Sequence, residues 1–179
     1  MPAGKLKIIL IVFGTLSETL VPHVMEGLNR EFNAEVVIGE NLPIPDQAYD
    51  SNRRQYRAED FLPPLTRWRR QQTDLVLGLT AVDLFVPRLN FVFGLAEPGQ
   101  RCAVVSVARL DPRFFQQPPD PALREERALK EAVHELGHLL GLPHCRDPRC
   151  IMFFSNTLAD TDRKGPGFCP ACRAQIPSM

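Results

Sequence analysis

The chain has 179 residues, 44% of them hydrophobic and 23% charged, which is ordinary usage for a globular domain able to bury a core. Its 21 basic residues balance 21 acidic ones, so no general pull toward nucleic acid or an anionic membrane surface is expected. No apolar run approaches the roughly 18 residues of a membrane span, and the run after Lys5 and Lys7 lacks a small-residue cleavage site. That run reads as a buried first strand rather than a signal peptide, and a cytoplasmic monomer is expected.

In chain order, residues 5–13 predict a strand. Thr15 or Ser17 is placed to cap a helix to about Phe32, on which Leu20, Val24, Leu28 and Phe32 recur at four-residue spacing. Pro22 falls in its first turns, where proline is least disruptive. Residues 35–38 read as a second strand, and 41–51, with Pro43, Pro45, Asp46 and Asp50, as a loop. A polar helix is expected over about 58–70, interrupted near Pro63 and Pro64. Three more strands follow at 74–80, 91–95 and 103–108, the last two separated by a turn at Pro98 and Gly99. This alternation implies an α/β sheet, mostly parallel, with crossover helices. Asp120 then caps a helix over 121–140 with Pro121 in its first turn. Leu129, Ala132, Val133, Leu136, Leu139 and Leu140 form its core stripe, and Gly141 ends it.

His134 and His138 stand four residues apart, so on that helix both imidazoles project from one face, one turn apart. Glu135 sits beside the first, where its carboxylate can reach a metal-bound water without binding the metal. Gly141 lets the chain reverse and bring His144 back as a third ligand. Three neutral imidazoles leave one tetrahedral position open, the arrangement of catalytic rather than structural zinc. Such a metal lowers the pKa of its water toward ~7, and Glu135 is the general base placed to take the proton. The full spacing, His-Glu-x-x-His-x-x-Gly-x-x-His, arises by chance on the order of once in 100,000 ordinary chains. That sets aside packed or surface histidines as the explanation. His23, alone on the first helix, is not expected to be a ligand.

Of the five cysteines, Cys102 stands apart, whereas Cys145, Cys150, Cys169 and Cys172 cluster with C-x4-C and C-x2-C spacings. In a reducing compartment such a cluster predicts a metal site rather than disulfides. Successive side chains in an extended segment point opposite ways, so His144 and Cys145 are expected to serve different metals. Four thiolates close a tetrahedron, which is structural zinc. The alternative, Cys145 as a fourth ligand of the histidine metal, would strand three cysteines. The segment after Leu142 has too few aliphatic residues to bury independently and needs such a clamp. The two metal sites are therefore expected to be mechanically coupled.

The histidine motif with a following methionine is similar to that of the metzincin metallopeptidases. HELGHLLGLPHC at 134–145, Cys150-Ile151-Met152 and Cys169-Pro170-Ala171-Cys172 together resemble the archaemetzincin family specifically. Weaker similarity runs through RRQYR at 53–57, PRLNFVFGLA at 87–96 and VSVARL at 105–110. The resemblance implies an α/β, metzincin-like α+β fold: a twisted, mostly parallel sheet with an edge strand along a cleft, and an active-site helix. It also implies an upper part over 1–142 and a small zinc-clamped C-terminal part over 143–179. Met152 would form the turn beneath the metal, and the strand near 91–95 would pair with an extended substrate. The implied activity is zinc-dependent hydrolysis of peptides or small proteins, with two zinc ions, one catalytic and one structural.

Many metzincins place a tyrosine shortly after the methionine turn; here the only tyrosines are Tyr49 and Tyr56. Zinc itself or another group is then expected to stabilise the oxyanion, and an inactive peptide-binding protein on the same scaffold is the alternative. With no propeptide ahead of the first strand, latency is expected to come from restricted access to the cleft. Phe153 and Phe154 are candidates for walling a substrate pocket or for the core. Glu131, one turn before His134, reads as a surface ion-pair partner. Arg53, Arg54, Arg57, Arg67, Arg69 and Arg70 read as a solvated helix face rather than an RNA-binding patch. Asp162 and Lys164 match the family pattern without an evident role.

Overall fold

The computed structural model describes residues 6–176; the expected strand start at Lys5 lies outside them. The chain opens with β1 (Lys7–Phe13), α1 (Leu20–Phe32) and β2 (Glu35–Ile38). Short strands β3 (Tyr49–Asp50) and β4 (Gln55–Arg57) lead to α2 (Leu62–Thr66). Strands β5 (Leu75–Thr80), β6 (Leu84–Phe85), β7 (Gly94–Glu97) and β8 (Cys102–Ser106) precede the long helix α3 (Pro121–Leu139). Two short helices, α4 (Leu158–Arg163) and α5 (Pro170–Arg173), complete the described chain.

The main sheet has the order β2-β1-β5-β8-β7 and is parallel except for β7, which runs antiparallel to β8 at the edge. β1, β5 and β8 are almost wholly buried because both sheet faces are covered. On β1, Ile8, Leu10 and Val12 join the core built with α1 and α3. Ile9, Ile11 and Phe13, pointing the other way, join the core built with α2 and a small β3-β4-β6 sheet. The mostly parallel α/β architecture read from the sequence is the one observed.

Boundaries differ where polar side chains or a second sheet capture the backbone. α1 starts at Leu20, and neither Thr15 nor Ser17 caps it; Thr19 holds the cap position. Ser17 Oγ instead accepts a hydrogen bond from Arg124 Nη2 at 2.8 Å. Pro63 and Pro64 begin α2 rather than interrupt it. The helix stops at Thr66, and the amides of Arg70 and Gln71 bond the Asp74 carboxylate at the turn into β5. The strand expected at 91–95 begins at Gly94, because the Val92 amide donates to Leu84 in the small sheet at 2.9 Å. The chain crosses from one sheet to the other between these residues.

The start of α3 follows the sequence reading: Asp120 Oδ1 accepts from the Leu123 amide at 3.0 Å, with Pro121 in the first turn. At its far end Gly141 has φ +90°, a conformation costly for other residues. The amides of Gly141 and Leu142 return to the carbonyls of His138 and Gly137, each at 3.0 Å.

Glu131 departs from expectation. It is buried, not a surface residue, and its Oε1 takes Thr161 Oγ1 at 2.8 Å and lies 2.9 Å from Lys164 Nζ. Arg127 grips Asp162 through two hydrogen bonds of 2.7 and 2.8 Å. These contacts give Asp162 and Lys164 their role, pinning α4 and the residue after it onto α3. Lys164→Ala leaves a buried unpaired carboxylate, so it should lower the unfolding free energy by about 3–5 kcal/mol. Urea denaturation of this variant, of Glu131→Gln and of the pair should show the loss shrinking once Glu131 is neutral.

Candidate metal centre and cleft

α3 presents His134 and His138 one turn apart, and the Gly141 reversal returns His144 to them. His138 Nε2 lies 3.0 Å from His134 Nε2 and 3.2 Å from His144 Nε2. His134 Nδ1 donates to the Ile151 carbonyl and His138 Nδ1 to the Leu142 carbonyl, both at 2.8 Å. A carbonyl can only accept, so in both rings the proton sits on Nδ1 and Nε2 carries a lone pair. Burial, with the Lys164 charge adding, holds all three imidazoles below their ordinary pKa. They are therefore neutral at pH 7, as metal ligation requires. Lone pairs converging this closely repel unless a cation lies among them. Tetrahedral zinc with imidazole bonds of 2.0–2.1 Å sets nitrogens about 3.3–3.4 Å apart, close to what is seen.

Cys145, Cys150, Cys169 and Cys172 also converge, their sulfurs within 4.8 Å of one another. The Cys145–Cys169 separation of 3.9 Å matches the ~3.8 Å edge of a tetrahedron with 2.3 Å zinc–sulfur bonds. It is far beyond the ~2.05 Å of a disulfide, and these cysteines are free. Cys145 stands with the other three cysteines, away from the histidine trio. The Cys172 amide holds the Cys169 thiol down to about 7, whereas burial pushes Cys150 and Cys172 up. Thiols that resist ionisation alone would be deprotonated by a shared cation.

One short segment joins the clusters. Cys150 contributes a sulfur, Ile151 holds His134 through its carbonyl, and the Met152 carbonyl accepts from the Cys145 amide at 2.9 Å. The buried Met152 side chain fills the space where a side chain on Gly137 would stand. It lies beneath the helix turn that bears His134 and His138. The expected mechanical coupling thus has a direct route through residues 150–152.

Glu135 is buried against the edge strand; a Cβ added to Gly94 would fall 2.6 Å from its Oε1. Burial, reinforced by Glu131 and opposed by Lys164, pushes its carboxyl up to about 8. A cleft runs past this point along β7. One cavity, of about 220 Å³, has His134, Glu135, Phe91, Phe93, Phe154 and Ser155 in its lining. A wider one, of about 480 Å³, lies over His138, His144, Leu95 and Ala96. Phe154 walls both, packing 4.8 Å from the His144 ring, while Phe153 lines neither.

The arginine run hid a supporting network. Arg53, Arg54 and Arg57 are not on a helix. Arg53 stacks 4.1 Å over Phe85 and donates to the carbonyls of Leu89 and Asn90 at the cavity rim. Gln55 joins it on the Asn90 carbonyl, and Asp83 takes Gln55 and a bidentate Arg109. Arg109 in turn lies 4.3 Å over Phe91. The only sequence signal was the family similarity of RRQYR and VSVARL, which carried no geometry. Among the described residues His23 is grouped with neither cluster.

Residues 19–178 match the family model described as peptidase family M54. The chain belongs to that family, the archaemetzincins. It is 44% identical to the archaemetzincin of Pyrococcus furiosus over 94% of this chain and 91% of that protein. It is also similar to the solved zinc-dependent peptidase of Methanocorpusculum labreanum, with TM-score 0.88 and 32% identity over 95% and 100% of the two chains. For the solved archaemetzincin of Methanopyrus kandleri the TM-score is 0.82 and the identity 41%, over 96% and 93%. The archaemetzincin fold and a zinc metallopeptidase activity follow. Among the described residues, no helix is long and apolar enough to cross a membrane.

The raised Glu135 pKa has a thermodynamic signature. A carboxyl held at about 8 when folded and near 4.5 when unfolded keeps its proton longer in the folded state. Its contribution to stability is complete below about pH 4.5 and is lost as pH rises to about 8. The difference in urea-unfolding free energy between metal-free wild type and metal-free Glu135→Gln should fall across that window. The comparison cancels the titrating histidines and cysteines.

Proposed function

We propose that the archaemetzincin-type activity is hydrolysis of peptide bonds by zinc-activated water, with Glu135 as the general base. His134, His138 and His144 hold the catalytic zinc, and Cys145, Cys150, Cys169 and Cys172 hold a structural one, giving two ions per chain. The observation that carries this reading is the three-nitrogen cluster with no fourth protein ligand grouped with it among the described residues. A buried carboxylate stands beside it on the cleft. The bound zinc supplies positive charge that polarises the scissile carbonyl, acidifies water and offsets the burial that keeps Glu135 protonated. Glu135 takes the water proton and delivers it to the leaving amine. The free edge of β7 offers backbone groups to an extended peptide, which it would bind as an added strand. Met152 supports the ligand-bearing turn from below. The substrate is a peptide or small protein acted on by a monomer, with no nucleic acid involved. Residues 1–142 supply the sheet and active-site helix, and 143–179 supply the third histidine and the thiolate clamp.

Glu135→Gln should retain both zinc ions and lose turnover of a peptide library; retained turnover would reject the base assignment. Elemental analysis should find about two zinc ions in wild type and one in His138→Ala. In Cys169→Ala the count should fall below one, because freeing residues 150–152 also loosens His134. Full retention of the histidine-bound zinc in that variant would show the two sites to be independent.

A further inference from the structure

The four cysteines are not equivalent. Cys150 and Cys172 are buried, whereas Cys145 and Cys169 reach the surface in part, and the sulfurs of this second pair stand 3.9 Å apart. A reagent in solution meets these two sulfurs first, and a disulfide between them closes the gap to ~2.05 Å. Cys145 also adjoins the third histidine. His134 and His138 are oriented by carbonyls at their Nδ1 atoms. The exposed His144 ring has no such partner among the described residues; it is flanked by the other two imidazoles and by Phe154. Its position is therefore set by the chain on either side. The adjacent anchor is Cys145, held by its amide on the Met152 carbonyl and by its sulfur in the cluster.

With a peroxide as oxidant the chemistry balances. The Cys169 thiolate attacks one peroxide oxygen; an S–O bond forms, the O–O bond breaks and hydroxide leaves, giving a sulfenic acid. The Cys145 thiolate then attacks that sulfur, forming the S–S bond and expelling a second hydroxide. Each sulfur gives up one electron, the peroxide takes both, and two solvent protons complete two waters. Cys150 and Cys172 alone cannot supply the four donors of a closed tetrahedron. Other contacts keep the C-terminal part docked through this change: Arg127 with Asp162, Lys164 with Glu131, Arg173 with Glu31, and Phe32 edge to face with Phe168. A dithiol that returns both thiolates can therefore restore the clamp.

We propose that Cys145 and Cys169 form a peroxide-sensitive thiol–disulfide switch, which opens the thiolate clamp and, by shifting Cys145, weakens the histidine site through His144. The proposal rests on the reading of the four cysteines as a zinc site, and not on peptide hydrolysis. Zinc titration of reduced His138→Ala protein, whose histidine site is disabled, should first show about one tightly held ion. None held would reject the clamp reading, and the switch with it. Hydrogen peroxide should then release that ion to a colorimetric chelator, and peptide mapping by mass spectrometry should find Cys145 joined to Cys169. Dithiothreitol with added zinc should reverse both changes. Retained zinc, release without a disulfide, or a disulfide joining any other pair overturns the switch. In zinc-loaded wild type the same oxidation should lower the affinity of the histidine site about 10-fold or more, the effect of losing an outer-shell partner. Far-UV circular dichroism should stay unchanged. An unmoved affinity, or a collapsed dichroism signal, overturns the link to His144. A protein that switches in this way yet cleaves no peptide would reject the peptidase mechanism and keep the switch.

Discussion

The hydrogen bond from His134 Nδ1 to the Ile151 carbonyl is the contact on which the rest of the centre depends. It fixes the tautomer of the first imidazole, and it does so from a segment that also supplies Cys150 to the thiolate cluster and Met152 to the floor beneath α3. A carbonyl that orients a ligand must itself be immobile, or the nitrogen it serves wanders and metal affinity drops. Cys150, Ile151 and Met152 are themselves buried in the main core, which holds this carbonyl in place. A cation held by the four sulfurs would add to that rigidity.

The same economy governs the charged interior. Burial alone would keep Glu135 protonated and the imidazoles neutral. The second state suits metal binding; the first would oppose the general-base role proposed for Glu135 unless a cation stood close by. Lys164, wholly buried against Glu131, moderates the negative potential behind Glu135 and at the same time discourages imidazolium formation. An ion pair of this kind adds little net stability by itself, since desolvation offsets its attraction. Its effect here is to place α4 and the following turn against α3.

The edge position of β7 ties the sheet to the cleft. A parallel sheet covered on both faces offers its free hydrogen-bonding groups only at its margins. Here the antiparallel last strand brings Gly94 into contact with Glu135. Absence of a side chain at that position lets the carboxylate lie against this edge strand. The network of Arg53, Gln55, Asp83 and Arg109 fixes the loop leading into this strand, so the rim of the smaller cavity is held by hydrogen bonds rather than left to the loop's own preferences.

Much of this was legible in the amino-acid order. Four-residue spacing on a helix determines that His134 and His138 share a face, Gly141 that the chain reverses, and the paired cysteine spacings that four sulfurs can meet. The α/β alternation and the Asp120 cap are equally local, because helical periodicity, left-handed backbone and capping depend on residues within a few positions of each other. Tertiary structure alone decided the rest. Glu131 is buried because Lys164 arrives from thirty-odd positions away, and no local signal separates it from a surface glutamate. Arg53 braces a cavity rim because Leu89 and Asn90 come to it across the small sheet. The strand near 91–95 begins three residues late because Val92 is captured by Leu84. Pairing energies between distant segments set these outcomes, and such energies leave no periodicity in the sequence to read.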